Sequence, residues 1–196
     1  MRTFLTCLLL SLHLISTSQP AYTDSIQAYR DKYVSGHEVV KGKDREQLHF
    51  YPIDPTYRVT ATFEKAKADP WFKMATSGTF EKTFRDYGTL QFTLHDTLIT
   101  VHVYQSKDLM SNPDYANSLF IPFTDKSSGA ESYANGRYID LTQEDLKQGF
   151  FVIDFNIAYN PYCAYVSGKY NCPIPPKEND LPVAIHAGEM KYTKEH

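Results

Sequence analysis

Residues 89–105 alternate apolar and polar side chains on both sides of a short break, and that pattern constrains the fold more than any other feature. Residues 89–94 lead into His95-Asp96-Thr97. In residues 98–105, Ile99, Val101 and Val103 then alternate with Thr100, His102 and Tyr104. Side chains on a strand point to opposite faces with period two, whereas a helix repeats every 3.6 residues. Two alternating runs around a polar turn therefore predict an antiparallel hairpin. His95 belongs to the turn, and His102 looks outward with Thr100 and Tyr104.

The same period recurs along most of the chain. Strands are expected at residues 48–53, 57–63, 71–76, 80–87, 118–123, 137–141, 150–155 and 183–187, besides the hairpin. Asp54-Pro55, Asn112-Pro113, Ser127-Ser128-Gly129 and Ala134-Asn135-Gly136 supply turn chemistry between them. The 15 Tyr and 12 Phe exceed what a helical bundle needs and suit strands. The fold class is mainly β: an antiparallel meander forming a small β-barrel (or sandwich), since closure removes exposed edges. One helix is expected over residues 23–38, where Ile26, Tyr29, Tyr33 and Val34 share a face. Thr23 or Asp24 caps its start and Ser35-Gly36 ends it.

Residues 1–18 carry one Arg, an apolar run from Phe4 to Ile15 and then small residues, the pattern of a secretory signal peptide cut before Gln19. The apolar run is too short for a stable membrane anchor, so the mature protein is expected to have no transmembrane segment. The chain then divides into a signal peptide (1–18), an N-terminal helix with a charged connector (19–47) and a single β domain (48–192). A formal charge of −3 gives no basic footprint for nucleic acid. The expected location is outside the cytosol, in the periplasm or secreted. Two cysteines remain there, Cys163 and Cys172, and a disulfide is the leading reading, stabilising by about 2.5–3 kcal/mol. Half of a metal site completed by His186 is the rival, with weak support because the close C-x-x-C spacing is missing.

Residues 150–189 are the richest in chemistry. Asp154 and Asn156 interrupt an apolar strand, and Tyr159 and Asn160 open the turn after it. Arg137 and Tyr138 begin another strand just after Glu131 and Tyr133. A carboxylate in an apolar strand must be paired or hydrogen-bonded, and Arg137 is the expected partner of Asp154 because its planar fork grips a carboxylate with two bonds. Glu131, Tyr133, Arg137, Tyr138, Asp154, Asn156, Tyr159 and Asn160 are therefore the candidate polar cluster, as a ligand site or as internal scaffolding.

The runs Leu119-Phe120-Ile121-Pro122-Phe123, Asp125, Ser128-Gly129, Glu131, Tyr133 and Gly136-Arg137-Tyr138 form half of a signature. Asp154-Phe155-Asn156, Ala158-Tyr159-Asn160-Pro161, Cys163-Ala164-Tyr165, Cys172-Pro173, Pro175-Pro176, Glu178-Asn179 and Leu181 form the other half. Together they resemble a bacterial family called domain of unknown function 1684, over residues 51–189. The resemblance implies no particular activity. The family commonly has a run of glycines before the arginine, where this chain has Ala134-Asn135-Gly136, so an anion cradle built on those amides is weaker here.

Three functions follow from these residues. The first is a small β-barrel module binding a polar small molecule or glycan, for which the surplus of Tyr supplies stacking surfaces. The second is a hydrolase using Asp154 or Glu131 as base with Arg137 holding an oxyanion. The third is a structural or interaction protein of the cell envelope. Neither a nucleophile elbow nor a metal cluster stands in the sequence, and no cofactor is called for. Oligomeric state is not legible.

Overall fold

The computed structural model describes residues 18–193. The expected leader lies outside these residues except for Ser18. Helix α1 (Ser18–Gly36) forms where a helix is expected, but its docking face is rotated. Ile26 is buried, whereas Tyr29 is 40% exposed and Arg30 is buried instead. Arg30 donates to the carbonyls of Tyr51 and Asn156 at 2.8 and 3.2 Å, and its guanidinium covers the Phe50 ring at 5.0 Å. A long side chain can bury its stem while its tip finds acceptors, so an Arg takes the place expected for a Tyr.

Seven strands follow: β1 (Arg58–Lys65), β2 (Trp71–Met74), β3 (Lys82–Leu94), β4 (Thr97–Ser106), β5 (Ser118–Phe123), β6 (Arg137–Thr142) and β7 (Phe150–Asp154). They pair antiparallel in the order β6-β5-β4-β3-β1-β7, with β2 added to β3. The sheet curls into a half-barrel. Its two ends are linked by the chain leaving β7, where Tyr159 exchanges backbone hydrogen bonds with Tyr138 of β6 at 2.9 and 3.1 Å. The β3–β4 hairpin turns at His95 and Asp96, both with positive φ, as a two-residue hairpin turn requires.

A bulge between Asp86 and Gly88 shifts the register of β3 against β4. One extra residue reverses the alternation. Leu90, Phe92 and Leu94 therefore enter the main core, while Phe84 turns to the other face and packs with Met74 and Tyr104. The two strands expected at 80–87 and 89–94 are one strand with this defect in the middle.

The main core fills the concave side. Leu90, Val101, Val103, Ile121, Phe123, Ile139 and Ile153 come from the sheet; Phe155, Ala158, Leu181, Ile185 and Ala187 come from the segment after β7. Each fully buried side chain of this size contributes roughly 1.5–3 kcal/mol before entropy is counted. The strands expected at 48–53 and 183–187 do not form. Phe50 and Glu189 make one isolated bridge, Tyr51 N donates to Gly188 O at 3.0 Å and Met190 N to His49 O at 2.9 Å. Lys126 N donates to Val183 O at 3.0 Å, and side chains serve other backbone groups of these segments. Arg137 takes the carbonyls of Ile185 and Ala187, and Asp125 takes the Ile185 amide. Residues 48–53 bury Leu48 and Tyr51, three apart, so the expected alternation does not hold there, and the backbone of residues 183–187 is held mainly by a buried ion pair rather than by a neighbouring strand.

Candidate functional site: a tyrosine-lined cleft on the outer face

The eight expected site residues fall into separate environments. Arg137 does not meet Asp154. It pairs with Asp125 at 2.8 Å, with both side chains fully excluded from solvent. Its other bonds go to the carbonyls of Ile185, Ala187 and Glu189. The reason is alternation on β6: Arg137 shares its face with Ile139 and Leu141, which belong to the main core. Gly136 before it has φ +85°, and a Cβ there would stand 2.4 Å from the Phe123 carbonyl, so only glycine brings the chain this close.

Asp154 accepts from the Tyr22 hydroxyl at 2.9 and 3.1 Å and from the Asn156 amide at 3.0 Å. Asn156 clasps Asp54 through its own amide, accepting from Asp54 N at 2.9 Å and donating to Asp54 O at 2.8 Å. The Tyr22 hydroxyl, bonded to Asp154 and accepting from the Asn156 side-chain amide at 3.0 Å, holds α1 to the end of β7. Asn160 donates its backbone N–H to Glu189 at 2.9 Å. Glu131 is exposed beside His186 at 3.4 Å, and Tyr133 accepts from Asn135 at 3.3 Å. The amides of Gly129, Ala130, Glu131, Ser132 and Gly136 all donate within their own loop, so they are not aimed at an anion. An Arg137 oxyanion hole with Asp154 or Glu131 as base does not exist in this geometry.

Tyr138 and Tyr159, by contrast, stand together in a cleft on the outer face. A concavity of about 630 Å³ lies over Phe84, Phe120, Tyr138, Asp140 and Tyr159, with Leu109 and Tyr115 at its mouth. A second, of about 450 Å³, adjoins it and shares Lys82, Tyr138, Asp140, Tyr159 and Pro173. The Tyr159 hydroxyl donates to both oxygens of Asp140 at 2.9 Å, and the Tyr138 hydroxyl donates to the Pro173 carbonyl. The Tyr138 and Tyr159 rings meet edge to face, 5.9 Å between centroids.

Asp140 is exposed to solvent yet crowded by protein atoms, because it sits in the floor of a concave cleft. That desolvation raises its carboxyl above the ordinary aspartate range, with the Tyr159 hydrogen bond opposing. Burial, with Asp140 adding to it, pushes the Tyr159 phenol well up, so Tyr159 stays a donor. Among the described residues no cation lies within ion-pair distance of Asp140. Asp145, also in the cleft, is occupied by the amide and hydroxyl of Thr142, both at 2.7 Å.

Cys163 and Cys172 are joined in a disulfide, Cα to Cα 6.2 Å. It stiffens the cleft wall that carries Tyr162, Tyr170 and Pro173. Ser77 ties the loop to the end of β2 through backbone and hydroxyl bonds with Cys172 at 2.9 and 3.2 Å. Among the described residues no three His, Cys, Asp or Glu side chains group in a way that holds a metal ion. No described helix is long and apolar enough to cross a membrane.

Beneath the cleft, Glu189 is wholly buried. It accepts from the hydroxyls of Tyr165 at 2.7 Å and Tyr33 at 3.0 Å, besides the Asn160 amide. Burial raises its carboxyl to about 7 against the pull of those three donors. His37 packs on the same two tyrosines, 4.6 Å from Tyr165 and 5.3 Å from Tyr33. Burial first, then Lys41 and Arg45, lowers its imidazole to about 4.

The sheet, the C-terminal segment and the disulfide loop all lie within the residues that a known family's model matches. The family described as "Protein of unknown function (DUF1684)" matches residues 43–190. The chain belongs to it. A similar solved structure is the solution NMR structure of an uncharacterised protein from Haloarcula marismortui. It is 31% identical with a TM-score of 0.66, and the alignment covers 90% of this chain and 97% of that one. No curated protein matches the chain.

The sequence reading missed Lys82, Asp140, Asp125 as the partner of Arg137, and Glu189. Asp140 was within reach: it stands two residues after Tyr138 on one strand, so the two had to share a face.

Proposed function

We propose that this DUF1684 protein binds a small, hydroxyl-rich ligand, a sugar or glycan, in the cleft over Asp140. One observation carries the reading: Asp140 is open to solvent inside an aromatic cleft, fixed by Tyr159, and among the described residues no cation stands within ion-pair distance of it, Lys82 sharing the cleft without pairing. An ionised carboxylate offers two oxygens that accept from neighbouring hydroxyls, and charge-assisted bonds of this kind are the strong ones. Tyrosine rings supply flat apolar faces with polar rims, which suits the two-sided surface of a pyranose. A cleft of this volume lies in the range of small-molecule sites, about 300–1,000 Å³.

The protein acts outside the cytosol on this reading. The leader pattern of residues 1–18 and the disulfide support export, and an intact mass beginning near Gln19 in the exported fraction tests it. A saturation-transfer NMR screen of neutral sugars, amino acids and organic acids tests the ligand class. Sugars should give signal that an excess of the same sugar displaces; signal from the acids alone contradicts the proposal.

A second reading has one observation in its favour. A carboxyl raised by desolvation inside a cleft is suited to general acid–base chemistry, which makes Asp140 the candidate acid of a hydrolase. Release of reducing ends from a bound oligosaccharide, lost in Asp140→Asn, separates an enzyme from a binding module.

A further inference from the structure

We infer that the ligand is a linear, uncharged oligosaccharide, laid along a groove that continues from the cleft onto α1. The inference rests on the sugar-binding reading just given and extends it from one sugar to a chain.

The cleft does not end at Tyr159. Its second concavity shares Tyr29, Tyr33 and Tyr162 with a third, of about 350 Å³, built against α1 and bordered by Lys32, His37 and Glu38. Three concavities in series, each sharing side chains with the next, make a path rather than a pocket. Each is large enough for a small-molecule site on its own, so the path holds at least one sugar unit in each.

The chemistry of the walls selects among polymers. The middle of the path is lined mostly by tyrosine and proline, and among the described residues its ionisable side chains other than tyrosine are Lys82 and Asp140, at the junction with the first concavity. At the far end Glu38 is engaged by the Tyr162 hydroxyl at 2.7 Å. A polyanion would need a row of cations, and a basic peptide a row of carboxylates; neither row is there. Pro161 and Pro173 have no N–H to offer a peptide backbone. Ring faces with hydroxyl rims remain, and those fit stacked pyranoses.

Tyr29 is the telling residue. It lies on α1 and is 40% exposed, while the helix is held by Ile26, by Arg30 and by the hydroxyls of Tyr22 and Tyr33. Its ring, partly open to solvent, stands on the wall between the second and third concavities, where burial first, then the charges of Asp140 and Glu189, raises its phenol.

Calorimetric titration with cello-, manno-, malto- and chito-oligosaccharides, from monomer to hexamer, tests the inference. In one series the affinity should rise at least about tenfold from monomer to tetramer, the worth of one further stacking contact, and then level off. Tyr29→Ala should remove the gain with length, so that the ratio of tetramer to monomer affinity falls towards one while the protein stays folded by its melting curve. Equal affinity at every length, or equal loss of short and long ligands in Tyr29→Ala, overturns the inference but leaves the sugar site standing. Silence in all four series overturns both the oligosaccharide inference and the sugar-site reading.

Discussion

Arg137 and Asp125 close on each other at 2.8 Å with neither side chain open to water. Between them they also hold the carbonyls of Ile185, Ala187 and Glu189 and the amides of Ser127 and Ile185. The pair thus fastens the C-terminal segment, which roofs the core, to the edge strand β6. It takes no part in the cleft.

Arg137→Met should therefore unfold the protein rather than disarm it. Removing one partner of a buried pair strands the other charge, at a cost of roughly 3–5 kcal/mol. Urea melts should show that loss for Arg137→Met and a comparable one for Asp125→Asn. The double variant should cost less than the two combined, because the residues are in direct contact.

Two buried groups set opposing pH dependences. Glu189 titrates at about 7 in the folded protein against 4.5 for the ordinary group. The folded form holds that proton longer, so its contribution to stability is lost as pH rises from 4.5 through 7. Asp140, also raised, acts in the same direction. His37 titrates at about 4 against 6.5. Only the unfolded form protonates between those values, so stability is lost as pH falls from 6.5 through 4. Between 4.5 and 6.5 the two slopes oppose and stability should be nearly flat. Glu189→Gln should uncover a fall on acidification approaching about 1.4 kcal/mol per pH unit, read from urea melts across that window. A variant as flat as the parent contradicts the assignment.

Much of the fold was legible because alternation survives in single strands: β4, β5 and β6 lie within a residue of where the pattern puts them. The misses have a shared cause. Alternation shows that a segment is extended with one side buried, not what its backbone bonds to. Residues 48–53 are extended but bond to residues 188–190 and Arg30, and residues 183–187 bond to Lys126, Asp125 and Arg137. The site was harder still. Arg137 and Asp154 were matched by charge alone, while the face alternation within β6 assigned Arg137 to the core and Tyr138 with Asp140 to the cleft. Lys82 and Glu189 carried no local signal, since their neighbours come from distant parts of the chain.

Reducing the Cys163–Cys172 bond should lower stability by about 2.5–3 kcal/mol, the entropy of releasing a short loop. Tyr162 and Tyr170 flank that loop on the cleft wall. Melting curves with and without a phosphine reductant should separate by several degrees, and sugar affinity should drop in the reduced, still folded protein. Coincident melting curves would show that the bridge contributes nothing.

The central claim is that the Asp140 carboxylate is the polar anchor of a sugar site, and the most direct measurement is calorimetric titration of the best-binding neutral sugar into Asp140→Asn. Losing a charged acceptor should weaken binding by roughly 10- to 100-fold, while the melting temperature stays level or rises, because an unneutralised carboxylate is removed from a crowded cleft. Binding to the parent protein should weaken on acidification at a higher pH than an ordinary aspartate would give, since the raised carboxyl protonates earlier. Equal affinity in Asp140→Asn and the parent would contradict the account.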